Sequence, residues 1–264
     1  METLILVILF GLIWGSFLNV VIYRVPAGLS LISPPSACPV CKARIKPYDN
    51  IPVVSFLVLG GKCRTCGTKI PVSYFLVELL TPAAFAVLYH YFGTGKYAEV
   101  NGPLHFIAAA LFTSALITLG FIDFKHKILP DKITYPGIVL ALAYAFFRTN
   151  LTFLQALLGG AVGGGFLLVV YGAYYLIRKK EGLGLGDVTM MLMVGAFLGW
   201  MNALLTLILS SVVGAAAGIL IIVLKKKDLQ YMLPFGSFLA PAAFVALVWG
   251  QRIWAAYFSL FPGR

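Results

Sequence analysis

Charge is what this chain has least of. Only 11% of its 264 residues are Asp, Glu, Lys or Arg, where soluble domains carry ~25%. That shortfall excludes an ordinary water-soluble enzyme. Acid is the scarcer sign, with nine Asp and Glu against 20 Lys and Arg. Four cysteines are too few for a disulfide scaffold, and a 61% hydrophobic content rules out a disordered chain. The three histidines, His90, His105 and His126, stand far apart, and no serine pairs with any of them as nucleophile with base.

Apolar length is what the chain has instead. Its mean hydropathy is +0.95. Apolar runs lie near 2–22, 71–92, 104–122, 133–147, 153–177, 188–201, 203–224 and 233–250, the fourth and sixth being short. A bilayer span takes about 20 apolar residues, so eight would use roughly 160 and leave about 100 for connections. The runs are apolar nearly all round and too long for barrel strands, which leaves helices to satisfy the backbone in lipid. The expected fold is all-α: a polytopic membrane bundle of about eight transmembrane helices. Glycines 159, 160, 163, 164 and 165 in the fifth run read as a close helix-packing patch.

A net charge of +11 does not indicate nucleic acid, because the basic residues fall in short clusters between apolar runs. Segments 24–70, 123–132, 178–187 and 225–230 hold 16 of the 20. The positive-inside rule places these in the cytosol and both termini outside. The first run begins Met1-Glu2 without a basic n-region or a small-x-small cleavage site, and is expected to remain as a span. Expected divisions are a first helix over 1–23, a cytosolic loop domain over 24–70 and a membrane domain over 71–264.

All four cysteines lie in the one large connection, as Cys38-x2-Cys41 and Cys63-x2-Cys66. Two such turns present four thiolates to one point and predict a structural, tetrahedral Zn2+ site. Disulfides are disfavoured in a reducing cytosol, and an iron–sulfur cluster ranks below zinc. The metal would fold a loop with too little core of its own.

Among the acids, Asp123 ends the third run and Asp187, after Gly184-Leu185-Gly186, opens the sixth. Both are expected at one membrane boundary, where a carboxylate is costly and faces the bundle interior. Two carboxylates sharing a site divide one proton, so that one acts as base on a water. Gly182, Gly184 and Gly186 leave room for an extended peptide beside Asp187. Position alone leaves helix capping, pairing with Lys125 or Lys127, a transporter's proton relay and catalysis all open. A non-catalytic assembly factor, its zinc loop docking a partner, stands beside them.

Residues 15–24 (GSFLNVVIYR), the paired CxxC loop, 123–134 (DFKHKILPDKIT) and 182–200 (GLGLGDVTMMLMVGAFLGW) together resemble the bacterial type IV prepilin peptidases, in order and over nearly the whole chain. The resemblance implies an intramembrane aspartyl protease of the GxGD class that removes the basic leader of type IV pilins and type II secretion pseudopilins. Asp123 and Asp187 would be its catalytic pair. Asp131 belongs to the pattern without being the usual catalyst, its plainer role being to cap the fourth helix. Members with the cysteine loop also resemble N-methyltransferases that use S-adenosylmethionine, and Glu78 matches a family glutamate there. Two positions depart from the pattern: Ser73-Tyr74-Phe75 replaces Arg-Tyr-Pro, and Thr189 replaces a lysine. A basic leader would need acids at the mouth, such as Asp49, Asp131 or Glu181, to offset the cytosolic lysines and arginines.

Overall fold

The computed structural model describes residues 2–93, 102–149, 151–179, 184–225 and 233–260. Glu181 and Gly182 therefore lie outside the described residues. The described secondary structure is helical apart from two isolated bridges in the cysteine loop, Ala37 with Arg44 and Lys62 with Lys69. All eight apolar runs are helices: α1 (Glu2–Arg24), α3 (Val72–Leu88), α4 (Gly102–His126), α5 (Asp131–Ala145), α6 (Phe153–Arg178), α7 (Leu185–Leu198), α8 (Trp200–Lys225) and α9 (Gly236–Ser259). A further short helix, α2 (Val54–Val58), sits in the loop. Six of the long helices have the length and composition to cross a membrane, while α5 and α7 have 15 and 14 residues. The last helix runs nine residues beyond its apolar run and takes in Gln251 and Arg252.

Two compact units divide the chain, Met1–Thr118 and Leu119–Arg264. In the first, α1 packs on α3 where side chains are smallest. A Cβ on Gly11 would come 2.6 Å from the Pro82 backbone, and one on Gly15 would meet Glu78 and Thr81. Trp14 donates its indole N–H to Ser114 Oγ at 2.9 Å, giving a buried polar atom a partner. Arg24 is not a loop charge in water. It is buried at the end of α1 and donates to the carbonyls of Ser30 (2.7 Å) and Pro34 (2.5 Å), fixing where the chain leaves the helix.

In the second unit the glycine patch has the expected use. Gly159, Gly160, Gly163 and Gly164 face the backbone or side chains of Met191, Leu192, Gly195 and Gly199. Gly159 meets Gly195 with no Cβ on either side, and Gly160 and Gly163 lie against the Leu192 and Met191 carbonyls, so α6 and α7 approach closely, as membrane helices do where apolar burial gives little drive. Gly165 points into open space and belongs to no contact of this kind. Gly199, at φ +78, makes the break between α7 and α8 that a residue with a Cβ would rarely adopt. Arg148 donates to the Phe197 carbonyl at 2.7 Å, satisfying an orphan acceptor in the last turn of α7. A capping box between Thr152 and Gln155 starts α6.

Candidate active site and metal centre

The second unit brings Asp123 and Asp187 together. Asp123 lies in the last turn of α4 and is 5% exposed; Asp187 is the third residue of α7 and is 8% exposed. They are near enough for the charge of Asp123 to act on Asp187. Each carboxylate is oriented by a backbone donor. Asp123 Oδ2 accepts the Ser237 N–H at 2.9 Å, and Asp187 Oδ2 accepts the Gly184 N–H at 3.3 Å. The capping reading of Asp187 is thus correct as far as it goes, since it satisfies a donor at the start of α7. Capping does not account for two buried acids side by side.

Their surroundings are bare. Gly184 sits against the Asp187 carboxylate, and a Cβ on Gly236 would come 3.0 Å from Asp123 Oδ2. Gly186 and Gly236 are bridged by one side chain, that of Leu129. Modified to alanine, Gly186 would place its Cβ 2.8 Å from Leu129 Cβ, and Gly236 would place one 3.0 Å from both Leu129 methyls. Leu129 belongs to the non-helical stretch 128–130 between α4 and α5. The room that Gly186 and Gly236 leave is therefore filled by Leu129, from an irregular segment of the same chain.

Sequence reasoning missed Leu129, Gly236 and Ser237. The stretch Pro234-Phe235-Gly236-Ser237 reads only as the start of an apolar run, although Pro234 and Gly236, two residues apart, mark a break in the chain there. Asp131 is exposed in the first turn of α5, where its charge suits the helix dipole, but Pro130 holds the N-cap position and no side-chain cap forms. That corrects the capping role expected for it. Thr189 donates back to the Gly186 carbonyl at 3.0 Å.

In the first unit the four cysteines converge. Their sulfurs all lie within 4.8 Å of one another, with Cys38–Cys66 at 3.8 Å and Cys41–Cys63 at 4.0 Å, and none is in a disulfide. Tetrahedral bonds of ~2.3 Å require edges of about 3.8 Å. The donor set fits a metal ion. Both knuckles are built alike: Lys42 N–H returns to the Cys38 carbonyl and Gly67 N–H to the Cys63 carbonyl, each at 2.9 Å and each from a residue at positive φ. Thr68, through its hydroxyl and its backbone, lowers the Cys66 thiol to about 6, toward the thiolate a metal needs. The knuckles are braced by Asp49, which takes a forked pair of bonds from Arg64 at 2.6–3.0 Å. Asp49 is thereby engaged within the loop. Glu78 Oε2 accepts the Val53 N–H at 2.7 Å, the Ser16 and Asn19 side chains also bond its carboxylate, and Asn19 donates to the Tyr74 carbonyl at 3.0 Å.

The fold and its paired acids define a polytopic helical membrane protein with a buried two-carboxylate centre and a four-cysteine metal loop. The chain belongs to the type IV leader peptidase family. Residues 110–219 match the model of that family, and residues 9–92 match the bacterial peptidase A24 N-terminal domain. A Pseudomonas aeruginosa protein called prepilin leader peptidase/N-methyltransferase is 36% identical, across 95% of this chain and 91% of its own length. One of the same name from Aeromonas salmonicida is 37% identical, across 96% and 93%. Another from Myxococcus xanthus is 41% identical over 80% of this chain and 61% of its own. No solved structure matches the chain significantly. Family membership does not favour the transporter and assembly-factor readings.

Proposed function

We propose that this chain is an aspartyl endopeptidase of the inner membrane that removes the leader from type IV prepilins or pseudopilins, with Asp123 and Asp187 as its catalytic pair. The observation that carries the reading is the two buried, mutually close carboxylates, each turned by a backbone N–H. Two such groups share a proton at neutral pH. The ionised partner takes a proton from water as that water attacks the scissile carbonyl, and the protonated partner donates to the carbonyl oxygen, the division of labour of aspartic proteases. An extended substrate would pass Gly184 and displace Leu129 from Gly186, and Asp131 offers a negative charge two residues from Leu129 toward a basic leader. The basic loops face the cytosol, so cleavage occurs on that side.

The second activity implied by the relatives' names is N-methylation of the new terminus, with S-adenosylmethionine supplying an electrophilic methyl group when bound. Glu78 is the residue we assign to it. Its carboxylate, held at one oxygen by Val53, would accept a hydrogen bond from the terminal amine. Cys38, Cys41, Cys63 and Cys66 would hold Zn2+ as a structural ion, giving the loop a centre that its few buried apolar side chains do not supply.

Purified protein incubated with a prepilin, with and without S-adenosylmethionine, tests both halves by product mass. Asp123→Asn and Asp187→Asn should each lower leader removal by about 10²-fold or more while leaving helicity and metal content unchanged. Substantial cleavage by both variants would refute the pair.

A further inference from the structure

Helix α2 interrupts the cysteine loop with an uncharged stretch, Ile51 through Gly61. It stands at an unusual level. Val53, its N-terminal neighbour, donates its N–H to Glu78 Oε2, and Glu78 is the seventh residue of α3. At 1.5 Å per residue that is about 9 Å along the helix from its start. Phe56 of α2 contacts Phe75 of α3 with ring centroids 5.1 Å apart. Val72–Gly93 is one of the six segments apolar and long enough to cross a membrane. The loop thus dips back until α2 lies beside the first two turns of a span.

The dip is held at the cost of local strain. Val53 has φ +64 and ψ −52, and the Val54 N–H closes onto the Pro52 carbonyl at 2.6 Å, a γ-turn of the strained kind on a β-branched residue. What that geometry presents outward is apolar. Val54, Leu57 and Val58, spaced to share one face of the helix, are 51%, 63% and 74% exposed, and Ile51 just before the turn is 48% exposed, whereas Ser55 is buried. Exposed Lys46, Lys62 and Lys69 flank the stretch on either side.

We propose that α2 is an interfacial anchor: its Ile51, Val54, Leu57 and Val58 face inserts into the leaflet on the side of the metal loop. Lipid is the occupant that this depth selects, because apolar faces of surface-lying helices settle about 5–10 Å into the headgroup and acyl boundary. The flanking lysines meet anionic headgroups, the charge pattern of peripheral membrane segments. The anchor pins the metal loop to the bilayer surface, and it stands whether or not the peptidase reading holds.

The test uses full-length protein in vesicles of phosphatidylethanolamine and phosphatidylglycerol, with p-benzoylphenylalanine introduced at Leu57, at Val58, at exposed Leu6 in the apolar span α1 and at Arg44 in the first knuckle. After irradiation, mass spectrometry reads what each position has captured. Lipid adducts at 57 and 58 comparable to those at position 6, and about tenfold above those at position 44, are the expected result. Adducts with a second copy of the chain or with an added prepilin in place of lipid would overturn the proposal, as would a yield no higher than at position 44. Val58 has the more exposed side chain, so it carries the experiment should the position 57 variant fail to fold.

Discussion

The Ser237 N–H reaches Asp123 Oδ2 at 2.9 Å across 114 positions of sequence, joining the start of α9 to the end of α4. One backbone amide therefore fixes which way the Asp123 carboxylate, proposed as half of the catalytic pair, points. Ser237→Ala keeps that N–H and should retain most leader removal. Ser237→Pro deletes it at the second residue of α9, where proline is tolerated in a helix. A bond to a charged acceptor contributes about 1.5–3 kcal/mol, so the proline variant should lose about ten- to hundredfold in kcat. Equal activity of the two variants in a steady-state cleavage assay would remove this role from the amide.

Leu129 and Gly186 form a second pair that can be tested together. Gly186→Ala drives a methyl into Leu129 and should displace the 128–130 segment from the carboxylates, lowering cleavage. Leu129→Ala makes room for that methyl. The double variant is expected to recover activity relative to Gly186→Ala, with a coupling of about 1 kcal/mol or more. Additive losses would mean that the two residues act separately.

The metal loop should be separable from proteolysis. Cys63→Ser removes one of four ligands, and elemental analysis should show metal content falling from about one ion per chain to near zero. The loop should then become sensitive to trypsin at its lysines, while the Asp123–Asp187 centre, in the other compact unit, continues to cleave prepilin.

Asp49 gives the loop a pH dependence of known sign. The Arg64 guanidinium bonded to it holds the Asp49 carboxyl below the ordinary aspartate range. A depressed carboxyl stabilises the fold above its unfolded pKa and loses that contribution as pH falls through the lower, folded value. Trypsin resistance of the loop near neutral pH should therefore drop in Asp49→Asn. The difference between the two proteins should vanish on acidification below the aspartate range, as seen with an acid-active protease.

Much of this molecule could be read from its residues. Eight apolar runs became eight helices because lipid leaves the backbone no other open-chain solution, and composition alone reports burial in lipid. The four cysteines converge because each CxxC turn carries its own local geometry. Asp123 and Asp187 stood out because acids are so rare among the apolar runs. The partners of these groups left no such trace. A backbone N–H at Ser237 has no residue-type signature, and neither does the positive φ of Val53, a β-branched residue in a conformation that sequence rules reserve for glycine. Arg24 reads as one more loop charge, and its carbonyl partners at Ser30 and Pro34 have no residue-type signature either. Long-range pairing decided each of these, and single-chain periodicity does not encode it.

Helices α5 and α7 are neighbours, with Gly137 of one set against Met193 of the other. At 15 and 14 residues each measures only about 21–23 Å, against the ~30 Å of a hydrocarbon core. Two adjacent struts that both stop short create a thin spot, and the bilayer must either pinch there or admit a wet dimple from one side. Hydrolysis inside a membrane needs a supply of water that stops before it becomes a leak. A local shortfall in helix length beside Asp187 would shorten the path from bulk water to that carboxylate.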